Sequence, residues 1–137
     1  MSGFKHIEES ISRYIIPHYH RICEIGVGQN FHVAKQIHNA GRKIFCTDII
    51  QFLDETPVPY IVDSVFSPTY SLYKNIDLIY AVRPHEEMIA ALTSLARFID
   101  CDLIVYHLGF ERFSGAEIIP QAEIPLFFYY KRSILKK

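Results

Sequence analysis

The residues best suited to chemistry stand where short apolar segments of the chain end. Residues 21–25 form a strand-like segment that leads directly into a turn containing Gly26 and Gly28, and Asp48 closes the next such segment. Glycine lets the backbone adopt unusual φ angles and approach a ligand without a Cβ clash. A carboxylate at the next strand end can accept hydrogen bonds from both hydroxyls of a ribose. The spacing therefore predicts a β-α-β unit that binds a nucleotide-type ligand.

Three further polar residues follow later apolar segments. Arg83 and His85 come after residues 77–82, and His107 lies close to the end of residues 102–108. An imidazole titrates near neutral pH, so His85 and His107 are candidate general bases on the substrate side. Arg83 either binds an anionic substrate or pairs with the two glutamates that follow it.

The cysteines and the remaining histidines do not suggest a metal site. Cys23, Cys46 and Cys101 lie in apolar segments without a CxxC spacing, which favours buried core residues of a reduced protein. His18 and His20 share one side of an extended segment without a carboxylate or cysteine partner, so a surface pair is the favoured interpretation. No metal cofactor is expected.

The composition excludes several classes of protein. The chain has 137 residues, of which 50% are hydrophobic, so we expect one domain over residues 1–137. A formal net charge of −1 provides no basic field, and nucleic-acid binding is not indicated. No signal-like start is present and no apolar segment approaches the ~18 residues of a membrane span. We expect a cytoplasmic protein that does not enter a membrane.

Apolar residues at helical spacing predict three helices. The first is an amphipathic helix over residues 4–16 that ends before Pro17. The second follows the glycine turn and ends at Gly41. Its predicted inward positions are Val33, Ala34, Ile37 and Ala40. The third has Pro84 in its first turn and continues to Ile99 with one buried side.

The remaining apolar segments predict strands that alternate with the helices. Their ranges are 21–25, 43–48, 60–63, 77–82, 102–108 and 126–130. Alternation of this kind indicates a mostly parallel α/β sheet of about five strands, and the last strand is expected to return antiparallel at the edge. The aromatic residues 127–130 either expose an apolar edge that favours a homodimer or form a buried strand.

The glycine turn also discriminates between cofactors. A dinucleotide fingerprint needs glycine or alanine at position 31, where this chain has Phe31, and this counts against NAD. An acidic residue followed by GxGxG fits instead at Glu24, Gly26 and Gly28, with Asn30 in place of the third glycine. In this pattern the chain resembles the class I S-adenosylmethionine-dependent methyltransferases.

That resemblance implies a Rossmann-like three-layer sandwich and a role for each matching residue. Glu24, Gly26 and Gly28 would surround the methionine portion of S-adenosylmethionine, and Asn30 would belong to the same loop. By the same likeness, the ribose hydroxyls would bind the carboxylate that ends the second strand, and the adenine amino group would bind Asp63.

The whole chain also resembles a family of small uncharacterised archaeal proteins with a Rossmann-like fold, through residues 24–28 and 77–84. Many amine methyltransferases carry an Asn- or Asp-Pro-Pro-aromatic motif after the fourth strand, whereas this chain has Arg83-Pro84-His85. The leading hypothesis is an S-adenosylmethionine-binding protein, if an enzyme then a methyltransferase of unidentified substrate. The alternatives are a non-catalytic interaction module that retains the cofactor fold and, less favoured, an NAD-linked oxidoreductase.

Overall fold

The computed structural model describes residues 3–107 and 115–133 of the chain. Within these two ranges, three helices, one short 3₁₀ helix and seven strands follow one another in an alternating order. In chain order they are α1 (Gly3–His18), β1 (Arg21–Ile25), α2 (His32–Asn39), β2 (Lys43–Asp48), β3 (Tyr60–Val62), the 3₁₀ helix (Tyr70–Tyr73), β4 (Leu78–Val82), α3 (Glu86–Ile99), β5 (Asp102–Tyr106), β6 (Glu117–Ile118) and β7 (Phe127–Tyr130). Each predicted strand is present. Its bounds agree within two residues, and position 108 lies outside the described residues.

The seven strands of the described residues form one sheet in the order β3-β2-β1-β4-β5-β7-β6. The five strands from β3 to β5 are parallel, whereas β7 runs antiparallel to β5 and β6 runs antiparallel to β7. The expected mostly parallel α/β fold with antiparallel pairing at its C-terminal side is confirmed.

The last strand is not the edge strand, which corrects one expectation. The short strand β6 pairs outside β7, and its two residues carry too little pattern to be recognised in the sequence. Phe127 and Tyr129 are buried, and Phe128 and Tyr130 are partly buried. The aromatic segment is therefore a buried strand, so it offers no argument for a homodimer.

Side chains alternate between the two faces of the sheet and form two cores. On one face, Ile22, Ile44 and Leu78 pack with α1 and α2. On the other face, Ile79 and Leu103 pack with α3 and the 3₁₀ helix. Helices therefore cover both faces of the central parallel strands, as a continuous apolar β4 requires. Cys23, Cys46 and Cys101 are buried in these cores, as expected.

Two helix boundaries differ from expectation. Helix α1 continues through Pro17 to His18. Proline lacks a backbone N–H, but in the last turn this removes only one hydrogen bond of the helix. The N–H of Tyr19 still donates to the Ile15 carbonyl at 3.1 Å. Pro84 precedes α3 instead of lying in its first turn, since the helix begins at Glu86. None of the helices among the described residues is long and apolar enough to cross a membrane.

The end of α2 explains a further correction. Gly41 adopts a φ of 88° and its N–H donates to the His38 carbonyl at 3.0 Å, which is the helix ending predicted for it. Ala40 is the residue that caps this end, so it is exposed and does not point inward. Val33, Ala34 and Ile37 are buried as predicted.

Candidate functional site

A crevice of about 510 Å³ lies at the carboxyl ends of the parallel strands. This volume is within the ~300–1,000 Å³ typical of small-molecule sites. Six of the residues singled out in the sequence line it: Gly26, Gly28, Asp48, Asp63, Arg83 and His85. The parallel arrangement of β1 to β4 brings them together, because the carboxyl ends of parallel strands meet at one edge of the sheet.

The glycine turn leaves space for a ligand at one position and packs tightly at the other. Gly26 and Gly28 have φ angles of 78° and 60°, a region that L residues rarely adopt. A Cβ on Gly26 would lie 3.2 Å from the Met88 Cε atom, whereas a Cβ on Gly28 would meet nothing within 4 Å. The turn therefore presents the Gly28 backbone to open space in the crevice.

Asp48 connects the end of β2 to this turn. One carboxylate oxygen, Oδ2, accepts the Gly28 N–H at 2.8 Å, and the other, Oδ1, accepts the N–H of Ile49 at 2.7 Å. An ionised carboxylate offers about four acceptor sites, so each oxygen retains capacity for one further donor. Asp48 is consequently both held in place and able to accept two hydroxyl groups.

Asp63 organises the loop that follows β3. Its carboxylate accepts the Thr69 hydroxyl at 2.9 Å, the Thr69 N–H at 3.2 Å and the Tyr73 hydroxyl at 2.6 Å. Burial and the hydrogen bond to this carboxylate raise the pKa of Tyr73 well above its ordinary value. These bonds hold the loop of residues 64–69, whose first three residues line the crevice.

Two apolar residues at the crevice were not singled out in the sequence. Ile49 is 71% exposed and Phe66 is 62% exposed, although both line the crevice. Large exposed apolar side chains beside a concave site mark surface that a ligand can cover. Their signal was available, since Ile49 immediately follows the strand-end Asp48 and Phe66 lies three residues after Asp63.

A second, smaller cavity of about 110 Å³ adjoins the crevice, and Gly26 and Arg83 line both. Its other polar lining residues are Glu8, Glu24 and Asn30. We refer to this space as the Glu8–Glu24 cavity. Helix α1 supplies Glu8, which the sequence reasoning missed. The signal was the position of Glu8, three residues before Ile11 and seven before Ile15 on the apolar side of an amphipathic helix.

Glu24 is buried at the centre of the sheet, with 3% of its surface exposed. The Tyr80 hydroxyl donates to its Oε1 atom at 2.7 Å. Burial is the main cause that raises the pKa of Glu24 to about 8, the Tyr80 hydrogen bond opposes this rise, and the negative charges of Glu8 and Asp48 add to it. Glu24 is therefore a carboxyl group that changes charge near neutral pH.

Asn30 faces α1 and not the main crevice. Its side-chain NH₂ group donates to the Glu8 carboxylate, and its Oδ1 atom accepts the His32 N–H at 3.0 Å. Asn30 thus joins the start of α2 to α1. Among the residues attributed to the methionine portion, Glu24 and Asn30 line the smaller cavity, and the two glycines line the crevice.

The three substrate-side candidates occupy different environments. His85 is exposed beside the crevice at the start of α3. Arg83 has a φ of 53°, its N–H donates to the Tyr106 carbonyl at 2.7 Å, and its guanidinium lies 5.2 Å from the centre of the Tyr106 ring. His107 is buried, its ring nitrogen hydrogen bonds with the Tyr129 hydroxyl, and it is not among the residues that line the crevice.

The residue that replaces the third glycine of a dinucleotide fingerprint is part of the core. Phe31 is buried, and its ring centre lies 5.7 Å from that of Phe52 and 6.2 Å from that of Tyr60. A large side chain at this position separates the start of α2 from the neighbouring segments, where a dinucleotide fold needs close helix packing. Over residues 3–107 and 115–133, no group of three or more His, Cys, Asp or Glu side chains is placed to hold a metal ion.

Sequence comparison identifies the relatives of this chain. A profile described as the uncharacterised protein family UPF0146 matches residues 7–132. The chain belongs to this family. A UPF0146 protein of Pyrococcus horikoshii is 34% identical over 112 residues, which cover 78% of this chain and 86% of that protein. A UPF0146 protein of Archaeoglobus fulgidus is 28% identical over 96 residues, which cover 69% and 74% of the two chains. The expected resemblance to small uncharacterised archaeal proteins is confirmed.

Structural comparison relates the fold to methyltransferases. A magnesium protoporphyrin IX methyltransferase from Synechocystis with bound SAM has a TM-score of 0.61 at 14% identity, covering 92% of this chain and 77% of that one. An S-adenosyl-L-methionine methyltransferase from Silicibacter pomeroyi has a TM-score of 0.58 at 12% identity, covering 95% and 89% of the two chains. At these identities the likeness shows the fold, which is the Rossmann-like fold of S-adenosylmethionine-dependent methyltransferases.

Proposed function

We propose that this protein binds S-adenosylmethionine in the crevice and transfers its methyl group to an acceptor. The observation that carries the proposal is the pairing of Asp48 with the open glycine turn. The Gly28 N–H holds the Asp48 carboxylate at 2.8 Å, and the space next to Gly28 is free of protein atoms within 4 Å of a Cβ position. A nucleoside placed there lies against backbone on one side and a carboxylate on the other.

In this proposal Asp48 binds the ribose. Each of its two oxygens accepts one backbone N–H, so each oxygen has one acceptor site left. The two remaining sites can accept the two vicinal hydroxyl groups of the ribose. Hydrogen bonds to a charged acceptor contribute roughly 1.5–3 kcal/mol each. The glycine backbone at positions 26 and 28 lies against the methionine portion, where side chains would exclude it.

The adenine ring would lie between Ile49 and Phe66, with its amino group toward Asp63. Both apolar side chains are mostly exposed in this structure, and an aromatic base would remove part of that surface from water. Asp63 already accepts from Thr69 and Tyr73, which leaves it about one acceptor site for an amino group.

When bound, the cofactor supplies an electrophilic methyl group on sulfur. The residues of the crevice contribute alignment of this group with an acceptor, which is the main requirement of a direct displacement. A base is needed where the acceptor must lose a proton, and His85 at the crevice is one candidate.

Calorimetric titration with S-adenosylmethionine, S-adenosylhomocysteine and NAD tests the proposal. We expect micromolar binding of both adenosyl ligands and none of NAD. The Asp48→Asn variant should weaken adenosyl binding by at least tenfold, because it removes the charged acceptor. Asp54→Asn, which removes the same charge from an exposed position in the loop that follows β2, should bind as the wild type does. Failure of both adenosyl ligands to bind would refute the proposal.

A second function, a non-catalytic interaction module, is favoured by a separate surface. Tyr70 and Phe98 are 48% and 70% exposed, and their ring centres lie 4.5 Å apart beside a cleft of about 670 Å³. This cleft is next to the segments that precede β4 and β5, away from the cofactor crevice. Cofactor binding without methyl transfer to any acceptor would support this alternative. NAD-linked chemistry would need nicotinamide dinucleotide binding, which Phe31 disfavours.

A further inference from the structure

We infer that the cleft beside Tyr70 and Phe98, together with basic residues at the same edge of the sheet, binds single-stranded nucleic acid. The residues of this cleft belong to the segments that precede β4 and β5, so it lies at the amino ends of the parallel strands. The cofactor crevice lies at their carboxyl ends. The cleft is therefore a separate surface, and a ligand there adds a partner that the proposed function does not include.

The cleft presents two aromatic rings to solvent. Tyr70 is 48% exposed and Phe98 is 70% exposed, and their ring centres lie 4.5 Å apart. Tyr70 begins the 3₁₀ helix and Phe98 belongs to the last turn of α3, so two separate elements hold the pair. The cleft has a volume of about 670 Å³. A planar base that stacked on these rings would cover apolar surface that is now in contact with water.

Three basic side chains accompany this aromatic pair, and we refer to Arg21, Lys43 and Lys74 as the basic edge. Lys74 lines the cleft itself. Arg21 and Lys43 are the first residues of β1 and β2 and are neighbours in the register of these strands. Cys23 and Phe45, two residues further along each strand, pack in the core that contains α3. Because side chains alternate along a strand, Arg21 and Lys43 lie on the α3 face, which is also the face of the cleft.

Two contacts join the cleft to the first residues of these strands. The ring centre of Tyr73, which lines the cleft, lies 5.9 Å from that of Phe45 on β2. The Asp77 N–H donates to the Arg21 carbonyl on β1 at 2.8 Å. Lys74 lies between these two contacts along the chain. The segment that carries it therefore passes beside the amino ends of β1 and β2, and its charge adds to theirs.

The positive charges of the basic edge are poorly balanced by the protein. None of its three residues forms an ion pair with another described residue. The neighbouring carboxylate of Asp77 accepts the backbone N–H groups of His20 and Arg21, each at 3.0 Å. Like charges at directly neighbouring strand positions destabilise a sheet, so Arg21 beside Lys43 is unfavourable in the free protein. A bound polyanion would remove this repulsion.

The net charge of −1 conceals the basic edge because many acidic residues lie at the opposite end of the sheet. Asp48 and Asp63 follow the carboxyl ends of β2 and β3, and Glu86 and Glu87 begin α3 at the same end. The sum of all charges does not show where they lie. A local field can therefore favour an anionic partner although the chain as a whole is not basic.

The spread of the charges favours a polynucleotide over a ligand with one phosphate. A site for one phosphate brings several donors to a single point, whereas the basic edge extends over β1, β2 and the segment before β4. A row of phosphates along a strand matches such a row of cations. Bases of a single strand are free to stack on exposed rings, while those of a duplex are already stacked on one another.

Fluorescence anisotropy of a labelled oligouridine RNA of about 12 nucleotides tests the inference in about 50 and about 200 mM KCl. Oligothymidine DNA and the RNA duplex with oligoadenosine, both of the same length, are the further probes. Contact with three phosphates predicts that the logarithm of the binding constant falls with the logarithm of the salt concentration with a slope of about −2. Binding of the single strand should accordingly be roughly 20-fold weaker at the higher salt. We expect the duplex to bind roughly fivefold more weakly than either single strand, or weaker still.

Substitutions at exposed positions separate stacking from charge. Phe98→Ala should weaken binding roughly fivefold or more, because it removes a ring on which a base stacks. Lys74→Gln should weaken binding and reduce the size of the salt slope by about 0.7, because one phosphate contact is lost. Phe66→Ala and Lys35→Gln remove an exposed ring and an exposed lysine outside the cleft, so the affinity should stay within about twofold.

The remaining outcomes decide where and what the surface binds. Equal effects of Lys74→Gln and Lys35→Gln, unchanged affinity in Phe98→Ala, or binding of neither single strand at the lower salt overturns the inference. Loss of binding in saturating S-adenosylhomocysteine also overturns it, because the strand would then occupy the cofactor crevice. Displacement of the RNA by polyglutamate as readily as by unlabelled oligouridine would assign the surface to an acidic protein instead.

The two single strands distinguish the sources of the ligand. Tighter binding of oligouridine than of oligothymidine identifies RNA, and equal binding identifies a general single-strand site. Both results support the inference when they depend on Phe98 and Lys74. Failure of the adenosyl ligands to bind refutes the proposed function and leaves this result unchanged, because the two sites lie at opposite ends of the sheet.

Discussion

Replacement of Glu24 by glutamine should remove a pH dependence from the stability of the protein. The pKa of this carboxyl group is raised from its ordinary value of 4.5 to about 8, chiefly by burial. Between these two values the folded protein holds a proton that the unfolded chain releases. The contribution of this group to stability is therefore fully present below pH 4.5 and is lost as the pH rises through 8.

The expected size of the effect follows from the same interval. One pKa unit corresponds to about 1.4 kcal/mol. With a pKa raised from 4.5 to about 8, Glu24 should lower the free energy of unfolding by roughly 4 kcal/mol between low pH and pH 8. Whole domains are stable by only about 5–15 kcal/mol, so this loss would be large. Glutamine keeps an oxygen that can accept the Tyr80 hydroxyl and has no proton to lose, so the variant should retain most of its stability at pH 8.

Urea unfolding of both proteins at pH 5, 6, 7 and 8 measures the difference directly. We expect nearly equal free energies of unfolding at pH 5 and a widening advantage for Glu24→Gln toward pH 8. Glu55→Gln, a surface variant with the same change in net charge, should follow the wild type. The range stops at pH 8 because burial also raises the pKa of the Cys23 and Cys46 thiols, which adds a loss of the same sign above that value. Parallel pH profiles of the wild type and Glu24→Gln would refute the assignment of a buried, proton-holding Glu24.

Three further substitutions test other parts of the site. Phe66→Ala should weaken S-adenosylhomocysteine binding several-fold in calorimetry with little change in melting temperature, whereas Phe98→Ala, which removes an equally exposed ring at the other cleft, should leave binding unchanged. Gly28→Ala should lower the free energy of unfolding by about 1–2 kcal/mol, because alanine at a φ of 60° is strained. It should also abolish detectable ligand binding, because the added Cβ enters the crevice. Normal binding would contradict the proposed position of the ligand. Tyr73→Phe removes a hydrogen bond to Asp63 from a buried position and should lower the free energy of unfolding by about 1–3 kcal/mol. It should also speed hydrogen exchange in residues 64–69, and unchanged exchange would show that this bond does not hold the loop.

Local sequence patterns determined the elements and most of the crevice. Periodic apolar residues specify helices and strands because a side chain every three or four residues, or every second residue, falls on one face. Residues that end parallel strands meet at one edge of a sheet, so Asp48, Asp63 and Arg83 could be assigned to a common crevice before the structure was known. The helix ending at Gly41 and the mismatch of Phe31 with a dinucleotide fingerprint could also be predicted from the sequence, because each residue acts on the backbone or packing at its own position.

Only the tertiary structure decided what surrounds these residues. The approach of α1 to the sheet places Glu8 beside Glu24 and turns Asn30 toward a helix, and no local pattern encodes this distance. The packing of β7 against β5 buries His107, although its position near the end of β5 had made it a candidate base. Secondary structure follows from interactions between near neighbours in the chain, whereas the burial and partners of a charged group depend on segments that meet only when the whole domain folds.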